Sequence, residues 1–326
     1  MKHVLVMLPF GESYQKRLAA IAGEAYELHF WNPNWSREAF TAALEQANVI
    51  LGEPDAADLR LCRNLEWMQI TWSGVDTFVQ MPDFPKGAVL SCATGFYGPI
   101  IAEHMLALTL ALCRRLPEYA AQQQKNTWEL LLYDKPLEES RVLILGAGDI
   151  GTTLARWMRP MVGSIIGVRR RARQCPDCFD RMVTLDELDE VLPWADIVLC
   201  CLPKTALTDC LLDETRLRSM KSDAVLVNAG RGNLIDLNGL CRVLDDGHLW
   251  GVGLDVAEEE PLPPEHPIWS RPRVIITPHA AGNSFSLESP TQRRIWEFVL
   301  ENFERFVQGH PVSGQVDFSA GYCTNT

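Results

Sequence analysis

"VLILGAGDIGTTLARWM", residues 142–158, joins an apolar run to three glycines and a helical pattern, and it decides the fold class. Gly146, Gly148 and Gly151 have G-x-G-x-x-G spacing directly after the apolar run. In a strand–turn–helix unit the first glycine permits a tight turn and the second lets a pyrophosphate approach the backbone. The third lets the helix pack on the strand, and the N–H groups at the helix start face the phosphates. We therefore predict a dinucleotide site; a tight turn without a ligand is the alternative.

Short apolar runs and helical patterns alternate on both sides of this stretch, which is typical of parallel α/β sheets. Strands are predicted at 3–8, 26–31, 48–52, 67–71, 88–92, 141–146, 164–168, 196–202, 224–230, 250–256 and 273–279. Helices are predicted at 36–47, from Pro99 to about Arg115, and at 149–158, 184–192, 236–247 and 291–308. Because 326 residues exceed one typical domain, we expect an α/β protein with two Rossmann-like, doubly wound parallel-sheet domains.

The composition is that of an ordinary globular protein, with 47% hydrophobic and 22% charged residues. The 42 acidic and 30 basic side chains give a net charge of −12, which argues against a nucleic-acid partner. No apolar stretch has the length of a membrane span, and the N-terminal "MKHVLVMLPF" resembles a strand more than a signal peptide. The ten cysteines lack the regular spacing of a disulfide framework, so we expect reduced thiols and a cytoplasmic protein.

Three residues with metal-binding chemistry have plainer interpretations. Cys175 and Cys178 form C-P-D-C, a spacing that occurs in redox and metal pairs. Neither a second C-x-x-C nor a paired histidine motif accompanies them in the sequence, so no metal site is predicted. His104 is expected to be structural, because it belongs to the long apolar helix.

Three arginines follow the second strand of the dinucleotide unit, about 20 residues after the glycines, where an acidic residue would select NAD. Here the sequence has Arg169, Arg170 and Arg171 instead. Guanidinium groups meet a phosphate with planar, charge-assisted hydrogen bonds. We therefore predict NADP, as NADPH, with NAD possible; a solvated basic turn is the alternative.

Polar residues follow three of the later predicted strands, in the segments "NAGRG", "AEEEPLP" and "TPHAAG". The carboxyl ends of the strands line the ligand crevice of a doubly wound sheet, so Arg231, Glu260 and His279 are expected to converge there. A carboxylate beside a histidine favours imidazolium, which can donate a proton to a carbonyl oxygen as hydride arrives. An arginine can hold a substrate carboxylate. A core histidine, a surface ion pair and a solvated acidic face are the alternatives.

At these residues the chain resembles the D-2-hydroxyacid dehydrogenases (D-isomer-specific 2-hydroxyacid dehydrogenases), over nearly its whole length. The motifs that carry the resemblance are "IAEHMLALTLALCRRLPEY", "GAGDIG", "CLPKTALTDCLL", "VNAGRG", "GLDVAEEEPLP" and "TPHAAG". The resemblance implies that Arg231 binds the substrate's carboxylate and carbonyl, that His279 is the acid/base, and that Glu260, before Pro261, orients it. It also implies a flavodoxin-like substrate domain, 1–98 plus 290–326, around a central NAD(P)-binding Rossmann domain, 99–289, and a homodimer.

The resemblance extends to residues around the reacting groups. Asp255 resembles the family residue that bonds the nicotinamide carboxamide, and the loop "WSGVD" resembles the one whose N–H groups hold the substrate carboxylate. The predicted cofactor-binding residues are Gly146, Gly148, Asp149, Ile150, Gly151, Arg169, Arg170, Arg171, Cys201, Leu202, Pro203, Thr208, Ala229, Gly230, Arg231, Asp255 and His279. The predicted substrate-binding residues are Trp72, Ser73, Gly74, Tyr97, Arg231 and His279. Turns and a helix cap are the alternatives for Ser73, Gly74, Thr208 and Asp255, and core packing is the alternative for Trp72, Phe96, Tyr97 and Trp269.

The expected function is NADPH-dependent reduction of a small 2-keto acid, of the glyoxylate or hydroxypyruvate kind, to its D-2-hydroxy acid. A nucleotide-sensing protein similar to the family's corepressor relatives is the rival; the retained arginine, glutamate and histidine favour the enzyme. Formate oxidation is a further alternative, and Glu260 speaks against it because the family's formate enzymes have glutamine there.

Overall fold

In a computed structural model the structure describes residues 1–170, 174–282 and 289–323. Within them the strands are β1 (Lys2–Val6), β2 (Tyr26–Phe30), β3 (Ala47–Leu51), β4 (Trp67–Gln69), β5 (Val89–Ser91), β6 (Arg141–Leu145), β7 (Ser164–Val168), β8 (Arg181–Val183), β9 (Ile197–Cys200), β10 (Val225–Asn228), β11 (Gly251–Leu254), β12 (Val274–Ile276), β13 (Val316–Asp317) and β14 (Tyr322–Cys323). The α-helices are α1 (Glu12–Ala22), α2 (Arg37–Gln46), α3 (Asp76–Val79), α4 (Gly98–Cys113), α5 (Leu116–Gln124), α6 (Asp149–Met158), α7 (Leu188–Val191), α8 (Glu214–Ser219), α9 (Leu237–Asp245) and α10 (Pro290–Val307). Short 3₁₀ helices lie at Asp58–Leu61, Arg159–Met161, Leu185–Glu187, Leu192–Trp194, Gly232–Leu234 and Pro267–Ser270.

The chain folds into two compact units, and unit 1 comprises Met1–Phe96 with the described part of Ser284–Thr326. In its described residues five strands form a parallel sheet in the order β2-β1-β3-β4-β5, which is the flavodoxin-like order, and β13 and β14 form a separate antiparallel pair. The buried tryptophan of β4, Trp67, stacks on Phe303 and Phe306 of α10, with ring centroids 6.5 and 5.0 Å apart. The C-terminal helix therefore completes the core of the unit that the N-terminal strands begin.

Unit 2 comprises Tyr97–Asn283, and its seven strands are parallel in the order β12-β11-β10-β9-β6-β7-β8. The chain begins at the central strand β6, builds one half of the sheet and then crosses to build the other, so that the strand order reverses between β6 and β9. Val142 and Ile144 face one hydrophobic core, while Leu143 and Leu145 face the other. Because side chains alternate along a strand, apolar cores on both faces explain why β6 is continuously apolar.

The predicted fold class is confirmed, and each of the eleven predicted strands forms. The helix predicted at 184–192 is wrong in form, because this segment is two 3₁₀ turns around the single α-turn α7. The sequence analysis missed the three-residue strand β8 and the β13–β14 hairpin, which are too short to show a period. Among the described residues, every helix falls short of the length and apolar character that crossing a bilayer requires.

Candidate active site

The glycine loop joins β6 to α6 in unit 2 and has the geometry of a phosphate cradle. Gly146 has φ +106°, and a Cβ there would lie 2.8 Å from the carbonyl oxygen of Cys201. A Cβ on Gly151 would lie 2.2 Å from the Gly146 oxygen, whereas one on Gly148 would meet no atom within 4 Å. Two of the glycines are therefore required by packing, and the third leaves open space at the start of a helix. This backbone fits the pyrophosphate of a dinucleotide.

The segment after β9 lies against this loop. The Cys201 thiol donates to the Gly146 oxygen at 3.1 Å, and burial raises the pKa of that thiol to about 12, so it remains a donor. The buried Thr208 hydroxyl donates to the Pro203 oxygen at 2.7 Å and accepts from the Thr205 N–H at 2.9 Å. Thr208 thus closes the turn that follows Cys201, Leu202 and Pro203.

The first predicted arginine lies at the carboxyl end of β7, beside the glycine loop. The Arg169 N–H donates to the Val183 oxygen at 3.0 Å, and its Nε donates to the carbonyl oxygen of Ala147. Arg170 follows it and is exposed. Arg171, the third predicted arginine, lies outside the described residues. At least one guanidinium is therefore held next to the predicted dinucleotide cradle.

Asp255 directly follows β11, and its buried carboxylate organises the loop after β12. It accepts the Thr277 hydroxyl at 2.6 Å and the N–H groups of Ala280 and Ala281 at 2.8 and 3.0 Å. Its backbone oxygen accepts the His279 N–H at 2.7 Å. His279 has φ +53°, a left-handed conformation that side chains rarely adopt, and these bonds hold it there. Loop and strand end therefore fix the position of His279.

The imidazole of His279 makes a short contact with Glu260. His279 Nδ1 and Glu260 Oε2 are 2.7 Å apart, and Glu260 Oε1 accepts the Ala257 N–H at 3.0 Å. The side chains are 53% and 39% exposed in unit 2, so the pair is accessible to a ligand. A carboxylate held by a backbone N–H can orient one imidazole nitrogen and leave the other, Nε2, to face a reactant.

Arg231 lies in the turn after β10, next to the segment that holds Glu260. The Asn228 side chain accepts the Gly230 N–H at 3.0 Å and donates to the Arg231 oxygen at 3.0 Å. A Cβ on Gly232 would lie 1.8 Å from the carbonyl carbon of Ala257, so this turn packs directly against the backbone before Glu260. Unit 2 thus brings the turns of all three predicted catalytic residues to the carboxyl ends of adjacent strands.

The predicted substrate loop, with Trp72, Ser73 and Gly74, belongs to unit 1, where Trp72 is 51% exposed. Glu53, after β3, accepts the Thr71 hydroxyl at 2.7 Å and the N–H groups of Thr71 and Trp72. The Glu53 side chain therefore holds the chain where this loop begins, at Thr71 and Trp72.

Sequence reasoning missed the contribution of three residues that hold these loops: Glu53, Thr277 and His104. His104 Nε2 lies 2.9 Å from the Thr277 hydroxyl and 3.5 Å from the Asp255 carboxylate. Thr277 belongs to "TPHAAG" and Thr71 directly precedes "WSGVD", but the sequence does not show which strands are neighbours. Tyr97, the remaining predicted substrate residue, directly precedes α4 in unit 2.

Comparisons with known proteins identify the family of the chain. The family model for the D-isomer specific 2-hydroxyacid dehydrogenase, NAD binding domain, matches residues 106–281. Glyoxylate/hydroxypyruvate reductase A of Klebsiella pneumoniae (strain 342) is 32% identical over 257 residues, which are 77% of this chain and 80% of that protein. A crystal structure of a D-isomer specific 2-hydroxyacid dehydrogenase family protein from Aeromonas salmonicida subsp. salmonicida A449 has 29% identity and a TM-score of 0.85, and covers 97% of this chain and 99% of that one. The NADPH-dependent glyoxylate/hydroxypyruvate reductase of Sinorhizobium meliloti, solved with NADP and sulfate, has 25% identity and a TM-score of 0.81, covering 99% and 100%.

Proposed function

We propose a reaction for this chain from one premise: it belongs to the D-isomer specific 2-hydroxyacid dehydrogenase family, whose members are oxidoreductases acting on CH–OH donors. The proposed reaction is the NADPH-dependent reduction of a small 2-keto acid, similar to glyoxylate or hydroxypyruvate, to the D-2-hydroxy acid. The observation that carries it is the 2.7 Å contact between His279 Nδ1 and Glu260 Oε2 at the carboxyl edge of a dinucleotide-binding sheet.

The dinucleotide site is supported by the backbone of the glycine loop, where Gly148 leaves space that a phosphate can enter. The bound dinucleotide supplies the hydride that reduces the carbonyl carbon. The residues proposed to hold it are those predicted from the sequence, from Gly146 to Gly151 and around Cys201, Thr208, Ala229 and Asp255.

His279 is the proposed proton donor to the substrate's carbonyl oxygen. With Nδ1 directed at Glu260, the Nε2–H of the imidazolium is the group left to donate. The bond from the Ala257 N–H keeps the Glu260 carboxylate in place beside Nδ1, so that the imidazole stays oriented toward the reactant. The Arg231 guanidinium supplies charge-assisted hydrogen bonds to the substrate's carboxylate and polarises its carbonyl.

NADP is the proposed cofactor because Arg169 is held beside the glycine loop by its bond to Ala147. Arg170 and Arg171 are proposed to supply further charge toward the 2′-phosphate. The Sinorhizobium meliloti relative is named as NADPH-dependent and was solved with NADP, which supports the same choice here.

We also propose the domain boundaries, the substrate contacts, the cellular location and the assembly of the protein. Residues 1–98 with 290–326 form the proposed substrate domain, and 99–289 form the proposed cofactor domain. The N–H groups of Ser73 and Gly74 are the proposed contacts to the substrate carboxylate, and Trp72 and Tyr97 are further proposed substrate-binding residues. A cytoplasmic homodimer is the proposed state of the protein.

The test is consumption of NADPH and of NADH, in parallel, with a panel of acids from glyoxylate and hydroxypyruvate to phenylpyruvate. We expect NADPH consumption with at least one small 2-keto acid. His279→Ala should lower kcat by about 10²–10⁴-fold, the range of a general acid. His310→Gln is the matched control, since this exposed histidine lies after α10 in unit 1. Turnover that survives in a folded His279→Ala protein would overturn the mechanism, and turnover with NADH alone would overturn the cofactor choice. No consumption with either cofactor would overturn the reductase and favour a nucleotide-sensing role.

A further inference from the structure

Two histidines and a glutamate meet on one face of the unit 1 sheet. β1 and β2 are parallel neighbours, with His3 paired to Glu27 and Leu5 paired to His29. Residues two apart on a strand point to the same side of the sheet, and directly paired residues on neighbouring strands share a side. The register therefore brings the side chains of His3, Glu27 and His29 together at the edge strand β2.

The donor atoms of these three side chains converge. His3 Nδ1 and His29 Nε2 are 3.0 Å apart, and the Glu27 carboxylate lies 3.6 Å from the first and 4.0 Å from the second. The imidazoles are 27% and 26% exposed and the carboxylate is 46% exposed, so a small solute can reach the cluster.

We propose that His3, Glu27 and His29 form a binding site for a divalent first-row transition cation of the Zn²⁺, Ni²⁺ or Cu²⁺ class. Two imidazoles and one carboxylate are a ligand set that suits these ions, whereas Mg²⁺ and Ca²⁺ take oxygen ligands almost exclusively. Solvent completes the coordination, because the cluster lies at an exposed edge of the sheet.

The spacing of the donors fits such an ion after a small adjustment. In a tetrahedral site with metal–nitrogen bonds of about 2.0–2.1 Å, two nitrogens lie about 3.3–3.4 Å apart. His3 Nδ1 and His29 Nε2 need to separate by only a few tenths of an ångström from 3.0 Å. In the metal-free protein one ring donates a hydrogen to the other. If the donor ring instead carries its hydrogen on its other nitrogen, both facing nitrogens have a lone pair that can bind a cation. Neither ring gains or loses a proton in this exchange.

The backbone beneath the cluster is held in place. The pairing of β1 with β3 shifts register between His3 and Val4, and at this irregularity the His3 N–H donates to the Asn48 side chain at 3.0 Å. The Asn48 amide also donates to the Asn64 oxygen at 3.3 Å. A ligand fixed by its supporting groups loses less freedom when it binds a metal.

No metal site is predicted from the sequence, because sequence motifs for metal sites consist of ligands at short spacing. His3 and His29 are 26 residues apart, and only the pairing of β1 with β2 brings them together. This separation distinguishes the cluster from Cys175 and Cys178, which are three residues apart in unit 2.

The experiment is a Co²⁺ titration of the full chain without an affinity tag, followed by visible absorption and equilibrium dialysis, with Zn²⁺ as competitor. We expect one Co²⁺ per chain, with ligand-field bands but no sulfur-to-cobalt charge-transfer band, and displacement by Zn²⁺. His29→Gln and His3→Gln should each lower the affinity roughly tenfold or more, because each removes one nitrogen ligand. His310→Gln should leave the titration unchanged.

Glu27→Gln keeps the proposal testable if a histidine variant fails to fold, since Glu27 is exposed on the edge strand. It should weaken Co²⁺ binding while circular dichroism and the melting temperature of the metal-free protein stay the same. A charge-transfer band that is lost in Cys175→Ser/Cys178→Ser would overturn the assignment. So would an affinity that is equal in the unchanged chain, Glu27→Gln and folded His29→Gln, or no binding at all.

Discussion

Glu53 in unit 1 and Asp255 in unit 2 each hold the loop that follows the neighbouring strand of their sheet. Each follows a strand, β3 or β11, and accepts a threonine hydroxyl and two backbone N–H groups from the loop after the neighbouring strand. In unit 1 the donors are Thr71 and Trp72, and that loop continues into Ser73 and Gly74. In unit 2 the donors belong to the loop of His279. We call Glu53 and Asp255 the anchoring carboxylates.

The two anchoring carboxylates differ in what they hold. The Asp255 loop presents an imidazole side chain, and it keeps His279 in a left-handed conformation. The Glu53 loop presents backbone N–H groups, which need position but no side-chain chemistry. Burial raises the pKa of Glu53, and the bonds from Thr71 and Trp72 only partly oppose this effect. A loop that carries the proposed proton donor should be more sensitive to its anchor than a loop that carries only N–H groups.

The largest effect is expected from Asp255→Asn. The amide has one acceptor oxygen, so its NH₂ group faces the N–H of Ala280 or Ala281 and leaves a buried donor unpaired. We expect a loss of about 1–3 kcal/mol in the free energy of unfolding. We also expect a fall in kcat of about 100-fold, because a small displacement of His279 disrupts proton transfer.

The control for Asp255→Asn is Asp246→Asn, an exposed aspartate at the end of α9. Urea titration measures the stability of both variants, and NADPH consumption with the best 2-keto acid measures kcat. If Asp255→Asn loses affinity for the acid but keeps its kcat, the anchoring carboxylates do not differ in the way proposed.

A smaller effect of another kind is expected from Glu53→Ala. Losing the acceptor frees the start of the "WSGVD" loop, so the proposed contacts of the Ser73 and Gly74 N–H groups with the substrate carboxylate weaken equally in the ground and transition states. We expect KM for the acid to rise about tenfold while kcat changes little, as for the loss of uniform binding. Glu53→Gln keeps one acceptor oxygen, so its KM should rise much less than the KM of Glu53→Ala. A kcat loss as large as that of Asp255→Asn would contradict this prediction.

Thr71→Val and Thr277→Val are a matched pair that compares the two loops directly. Each removes the hydroxyl bond to an anchoring carboxylate, at 2.7 Å to Glu53 or at 2.6 Å to Asp255, and preserves the shape of the side chain. Thr277→Val also removes the 2.9 Å contact with His104 Nε2. The loss of a hydrogen bond worth about 1 kcal/mol changes a rate or equilibrium constant about fivefold. We expect this change in kcat for Thr277→Val and in KM for Thr71→Val. Steady-state kinetics with the serine variants, which keep the hydroxyl, provide the control.

The parts of the site that the sequence predicts are those with a local cause. The glycine loop is recognisable because Gly146 has a positive φ and Gly151 packs against the Gly146 oxygen, both within one strand–turn–helix unit. His279 and Glu260 are recognisable by their motifs, and their 2.7 Å contact agrees with the roles predicted for them. The residue roles themselves remain predictions that kinetics must test.

The parts that sequence reasoning missed depend on which strands are neighbours. Glu53 and Thr71 are 18 residues apart, and only the pairing of β3 with β4 brings them together. Asp255 was assigned a cofactor contact from the resemblance alone. Its bonds to Ala280 and Ala281 require the pairing of β11 with β12. A periodic pattern indicates a strand but not its neighbour, so such cross-strand anchors do not emerge from one sequence.

The smallest effect is a pH dependence of stability that arises from Glu53. Because burial raises the pKa of Glu53 in the folded state, the native protein binds this proton more tightly than the unfolded chain does. The stabilisation is complete below the unfolded pKa of about 4.3, and it is lost as the pH rises through the higher folded value. Glu53→Gln lacks this titration. Urea unfolding of the two proteins from pH 4 upward should therefore show the unchanged chain losing stability relative to Glu53→Gln, until the difference becomes constant. If the unchanged chain instead gains stability relative to Glu53→Gln as the pH rises, the bonds from Thr71 and Trp72 outweigh burial. The pKa of Glu53 in the folded protein would then be lowered, not raised.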